Sequence, residues 1–123
     1  MRHTAKFIST TASVAALLGS MTVAIPAISH ADQAAIKEGK EIATNRTKGN
    51  CLSCHKMDNG ALPGNIGPEL IGMKERFPDK AVLRAQIYDS RINNPATIMP
   101  PMGAHGILSN SEVDKVVEYV YSL

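Results

Sequence analysis

The 123-residue chain has no tryptophan, two phenylalanines and three tyrosines. Within residues 32–123 the only aromatic side chains are Phe77, Tyr88, Tyr119 and Tyr121. A domain this small buries a modest fraction of its surface, and with so few large side chains a bulky apolar cofactor would have to supply part of the core. A basic excess is also missing. All eleven acidic residues and eleven of the thirteen lysines and arginines fall in residues 32–123, which are therefore neutral. That excludes a nucleic-acid-binding surface of the usual kind, since nothing is left over to track phosphates. The formal charge of +2 on the whole chain comes from its first residues. Repeats, low-complexity tracts and the apolar–polar alternation of half-buried strands are absent as well.

The opening residues read as a secretory leader. Arg2, His3 and Lys6 precede a mostly apolar run from Ala12 to Ile28, and Ser29-His30-Ala31 places small residues at the two positions that a signal peptidase reads. The expected organisation is a leader over residues 1–31 and one domain over 32–123. An uncleaved membrane anchor is the competing reading, weakened by Gly19-Ser20, Thr22 and Pro26 inside the run. On the leader reading the mature protein has no membrane span and its location is the periplasm.

The domain reads as all-α. Ala35, Ile36, Gly39, Ile42 and Ala43 recur at helical spacing. Gly39 disfavours a helix, so its expected use is to let another helix come close. Residues 57–74, rich in Gly, Pro and Asn, are expected to be mostly loop. Pro78-Asp79 opens a second helical run through Val82, Leu83, Ile87 and Tyr88, predicted to end near Arg91 and to be stopped by Asn93-Asn94-Pro95. Ser109 and Glu112 form the S-x-x-E capping box of a final helix, with Val113, Val116, Val117, Val120 and Tyr121 on one face.

Between the first two helices lies Cys51-Leu52-Ser53-Cys54-His55, the C-x-x-C-H spacing of c-type haem attachment. Each thiol can form a thioether with one haem vinyl group, and the adjacent histidine then lies beneath the iron. Three plainer readings compete. A structural disulfide needs no neighbouring histidine and gains little from closing a two-residue loop. A thioredoxin-like redox pair expects a βαβ setting. A zinc site needs four ligands, and residues 32–123 offer two Cys and two His. With His55 on one side of the iron, a second ligand must come from elsewhere. Met57 is too near in sequence, Met73 belongs with the histidine side, and His105 reads as a solvated loop histidine. Met99 and Met102 remain, on a loop stiffened by Pro100 and Pro101.

Taken together, C-x-x-C-H, then Gly67-Pro68-Glu69-Leu70, then Met99-Pro100 and a last helix ending in an aromatic resemble the small class I cytochromes c. The resemblance implies a small all-α fold wrapped around one covalently attached haem c. It implies that the Pro68 carbonyl accepts the proton of the outer His55 nitrogen, which orients the ring and strengthens it as a ligand. It also implies Met99 as the distal iron ligand, with Met102 packing or forming a partly exposed edge, and a crossing of first and last helices at Gly39 and Tyr119. More narrowly, Gly64-Asn65-Ile66-Gly67-Pro68, Asn94-Pro95, Met99-Pro100-Pro101 and Gly106-Ile107-Leu108 resemble the monohaem X subunit family of the bacterial sulfur-oxidation (Sox) system. One departure is Met102, where that family often carries phenylalanine.

His and Met together make the iron six-coordinate, and methionine sulfur raises its potential. Such a centre suits outer-sphere electron transfer, with no catalytic residue in this chain. The Sox resemblance implies a heterodimer with a haem-containing SoxA-type subunit, in which thiosulfate is oxidatively joined to a cysteine of a carrier protein. The X subunit would accept the electrons and hand them to a downstream acceptor. Ile98, Pro101 and Met102 are the expected partner surface, plain packing being the alternative for Ile98. The rival functions are a free class I cytochrome c serving an oxidase, which should show a charged ring around the haem edge, and an enzyme or sensor with a labile distal ligand.

Overall fold

The computed structural model describes residues 30–123. The expected leader, residues 1–31, therefore lies almost wholly outside the described residues. Four helices follow in order: α1 (His30–Thr44), α2 (Met73–Arg76), α3 (Lys80–Tyr88) and α4 (Asn110–Tyr121), with 3-10 turns at Cys51–Ser53 and Ser90–Ile92. No strand forms among the described residues; a single parallel bridge joins Met57 and Leu70.

The framework is the crossing of α1 over α4. It works because Gly39 has no side chain: a Cβ there would stand 1.9 Å from the Lys115 carbonyl oxygen and 2.9 Å from Tyr119 Cβ. Helix α4 begins at the expected capping box, with the Glu112 amide donating to Ser109 Oγ (3.3 Å) and the Ser109 amide donating to Glu112 Oε2 (3.0 Å). Its apolar stripe of Val113, Val116, Val117, Tyr119 and Val120 is buried. Ala43 of α1, Met73 of α2, Leu83 and Ile87 of α3, and Met57, Met102 and Leu108 from the connections complete the core. Ion pairs tie the helices together at the surface, Lys115–Glu38 between α4 and α1 and Lys80–Glu118 and Arg84–Asp114 between α3 and α4. Exposed pairs of this kind each contribute little.

Helix α3 is shorter than its apolar spacing predicts. Asp79 caps its start, accepting from the Ala81 amide at 2.8 Å. At the other end Asp89 leaves helical geometry (φ −150°, ψ 90°) and its carboxylate accepts from the Arg91 amide at 3.2 Å. A short acidic side chain that can bond the backbone two residues on competes with helix continuation, so the chain restarts as the Ser90–Ile92 turn instead of running to Arg91. Residues 57–74 are mostly loop, as expected, with the short α2 beginning only at Met73.

Candidate cofactor site

Asn50, in the left-handed region at φ 47°, turns the chain into the Cys51–Ser53 turn. Backbone bonds from the Cys54 and His55 amides to the Cys51 carbonyl (3.1 and 2.9 Å) then bring both thiols and the imidazole off one tight bend. Beneath it the following loop is stitched back by Gly64 N–H to the Leu52 carbonyl, Gly67 N–H to the Cys54 carbonyl and Leu70 N–H to the Lys56 carbonyl, each 2.8 Å. Gly67 packs its backbone directly against the imidazole, since a Cβ there would lie 2.4 Å from His55 Cε1.

His55 Nδ1 lies 2.7 Å from the Pro68 carbonyl oxygen. A carbonyl can only accept, so Nδ1 carries the proton and Nε2 keeps its lone pair for a metal. This is the pair that the resemblance singles out. Cys51 and Cys54 are unbridged and half-buried. Burial pushes the Cys51 thiol up to about 11, which keeps it neutral near pH 7 and is the opposite of what an activated thiolate redox pair requires.

Cys51, Cys54, His55, Pro68 and Met99 all line one cavity of about 560 Å³. Its volume is that of a pocket for a sizeable organic ligand. Leu83 and Ile87 from α3, Leu108, and Val116 and Val120 from α4 form apolar walls. The formally charged residues on the lining are all basic: Arg46, Lys48 and Arg76. Lys48 is paired with Glu112. Arg76 is oriented by its Nη1, which donates to the Glu69 carbonyl at 2.8 Å and touches Met73 Sδ at 3.3 Å. In a neutral domain, this one-signed lining suits an apolar ligand that carries acid groups.

The methionines separate clearly. Met57 is buried in the core away from the cavity lining, and Met73 lines it beside Pro68 and Leu70. His105 is exposed, outside the cavity, with its Nε2 bonded to Arg91 Nη1 at 3.0 Å. Met99 is half-buried on the lining, and its backbone is held at both ends: its amide donates to Thr97 Oγ1 (3.1 Å) and its carbonyl accepts from the buried Ser90 hydroxyl (2.8 Å). Met102 also reaches the lining, but it belongs to the packed core at 7% exposure. The expected partner surface is corrected here. Pro101 and Met102 are buried because the chain folds back at this point, the His105 amide bonding the Pro101 carbonyl and the Leu108 amide the Met102 carbonyl. Ile98, by contrast, is 78% exposed, and with Ile66 and Ile107 it forms an exposed apolar part of the cavity lining. Arg46, Arg76, Ile66 and Ile107 carry no signal in residue spacing that would mark them as cavity residues.

A family model described as cytochrome c oxidase, cbb3-type, subunit III matches residues 34–120. An uncharacterized lipoprotein of Aquifex aeolicus (strain VF5) is 35% identical over 75 residues, which is 60% of this chain and 36% of that protein. The match thus spans about a third of that relative's length. Among solved structures, a chain of the crystal structure of SoxXA from P. pantotrophus superposes with a TM-score of 0.61 at 26% identity, over 70% of this chain and 79% of that one. No helix among the described residues is long and apolar enough to cross a membrane.

Proposed function

This chain belongs to the cytochrome c family whose model is described as cytochrome c oxidase, cbb3-type, subunit III, and from that premise we propose that it is the electron-accepting monohaem subunit of a thiosulfate-oxidising complex. Membership makes it an electron-transfer cytochrome with haem c as its cofactor. The residues present fit that group: an apolar cavity of about 560 Å³, an imidazole with a free Nε2, a held thioether, two thiols and a cationic lining. In the proposed holoprotein Cys51 and Cys54 would form the thioether bonds to a single haem, His55 Nε2 and Met99 Sδ would ligate its iron, and Arg46 and Arg76, on the cavity lining, would hold its carboxylates. Bound there, haem supplies a one-electron iron couple.

The chain's own residues set the properties of that couple. The Pro68 carbonyl fixes the His55 tautomer and ring angle and makes the imidazole a stronger donor. The walls from α3 and α4 exclude water, and a thioether ligand raises the potential. With His55 and Met99 both serving as ligands, no place would be left for a substrate at the metal, and the exposed rim would be where a redox partner belongs.

The single observation that carries the sulfur-oxidation reading is the superposition on a SoxXA chain, of which this chain covers 79%. By analogy the partner is a haem-containing SoxA-type subunit, and the apolar rim of Ile66, Ile98 and Ile107 suits the core of such an interface. A periplasmic location is part of the proposal, supported by the leader pattern before Asp32. The test mixes the purified chain with its A-type partner, a cysteine-bearing carrier protein and thiosulfate, and follows haem reduction. The proposal expects a stable complex and thiosulfate-dependent reduction beyond that of the partner alone. Neither would appear if the protein instead carries electrons freely to an oxidase, the reading that the oxidase description of the matched family favours.

A further inference from the structure

We propose that Ser90 is a positioning residue for the methionine loop: its buried hydroxyl, by holding the Met99 carbonyl, latches the loop to the end of α3 and keeps small exogenous ligands off the metal. The inference rests on the reading of Met99 as an iron ligand. Ser90 is completely buried, at 0% exposure, which is unusual for a serine. Asp89 ends α3 and caps the turn Ser90–Ile92, and that turn delivers Ser90 to the interior. A hydroxyl has one proton to give, and the Met99 carbonyl takes it at 2.8 Å.

The loop has few other means of holding itself in place. Pro100 and Pro101 carry no N–H, so the two positions after Met99 offer only carbonyls. The Pro101 and Met102 carbonyls are used in the loop's own fold-back, by the His105 and Leu108 amides. The Met99 amide donates to Thr97, which is also within the loop. Two sets of hydrogen bonds tie the loop backbone to α3 and its turn. The Gly103 and Ala104 amides donate to the Tyr88 carbonyl, each at 3.1 Å, and grip the loop beyond both prolines. Ser90 grips it at the ligand residue itself.

On the outer side little restrains this segment, since Ile98, next to Met99, is 78% exposed. A small ligand approaching the metal from the Met99 side needs the thioether out of the way. Swinging the loop outward breaks the Ser90–Met99 bond and strands a buried hydroxyl, so the bond weighs against the open form. A ligand that binds only the open form has its affinity reduced by the open fraction. The latch thus reserves the site for electrons.

The test titrates the oxidised holoprotein with cyanide, a small anion that ligates ferric haem. Ser90→Ala removes the donor. Without cyanide it should retain the sulfur-to-iron charge-transfer band, yet it should bind cyanide about tenfold more tightly, the factor expected when one buried hydrogen bond no longer opposes opening. Ser90→Cys, similar in size but a weak donor, should fall between, and it decides the matter if Ser90→Ala yields no holoprotein. Gly39→Ala, at the helix crossing and outside the cavity lining, controls for general loss of stability and should leave the cyanide affinity unchanged. In a Met99→Ala background, Ser90→Ala should have no further effect. An unchanged affinity in the Ser90 variants, or an equal gain in Gly39→Ala or with Met99 already removed, overturns the proposal. Retention of the charge-transfer band in Met99→Ala alone would instead overturn the ligand assignment on which it rests.

Discussion

Substituting alanine at Gly39 sets two physical effects of opposite sign against each other. In an isolated helix the change is favourable by about 1 kcal/mol, because glycine gives up more backbone freedom on folding. In this protein the new Cβ would sit 1.9 Å from the Lys115 carbonyl oxygen and 2.9 Å from Tyr119 Cβ. The first of these is helix backbone and cannot rotate away. Helices α1 and α4 would have to part by more than an ångström, and gaps of that size forfeit about a quarter to a half of each contact they open. Overpacking of this kind costs about 3 kcal/mol at the upper end of its range. Subtracting the propensity gain leaves a net loss of about 2 kcal/mol, a fall in Tm of roughly 8–16 °C for a domain of this length. Thermal unfolding of the holoprotein, followed by far-ultraviolet circular dichroism, measures it. An unchanged or raised Tm would mean that helix propensity outweighs the crossing and that the α1–α4 contact is not the framework described above.

The core should depend on its cofactor. A Cys51→Ala, Cys54→Ala double variant should be largely unfolded by circular dichroism, whereas a cooperatively melting apoprotein would show that the helices suffice alone. The Glu112 carboxyl is held down to about 2 from its ordinary 4.5, chiefly by the Lys48 ammonium and then by the Ser109 amide and hydroxyl. A depressed carboxyl stabilises the fold when ionised, so its contribution is complete above pH 4.5 and is lost as the pH falls from there toward 2. Glu112→Gln should lower Tm at neutral pH and flatten its decline across that acid window. The same acid slope in both proteins would contradict the assignment. If the Ser29-His30-Ala31 reading is right, intact-mass measurement of exported protein should give a chain beginning at Asp32 and carrying one haem, and a mass that retains residues 1–31 would contradict it.

What could be read from the sequence was local. The capping box at Ser109 and Glu112 and the valine stripe behind it involve neighbours three and four positions apart, the range over which helical spacing is informative, and α4 forms there. Gly39 was legible because a glycine in the middle of an apolar helical stripe has few other uses. The bend Cys51–His55 carries its chemistry within five consecutive positions. The remainder depends on contacts between distant segments. Asp89 ends α3 early because its carboxylate finds a backbone amide, a competition that the apolar pattern of Leu83 and Ile87 does not register. Pro101 and Met102 looked like an exposed loop, yet hydrogen bonds to their carbonyls from His105 and Leu108 fold them inward and leave Ile98 outside. Ser90 and Arg76 look like ordinary polar positions. Only the tertiary arrangement brings the Ser90 hydroxyl to the Met99 carbonyl and Arg76 to the cavity.

The most direct test of the central claim, an electron-transfer haem held between His55 and Met99, is the absorption spectrum of the oxidised holoprotein compared across two variants. In the unaltered protein and in Met102→Phe the sulfur-to-iron charge-transfer band should be present and the potential nearly the same. In Met99→Ala the band should vanish and the potential should fall. A band that survives Met99→Ala, or one that is lost in Met102→Phe, would contradict the account.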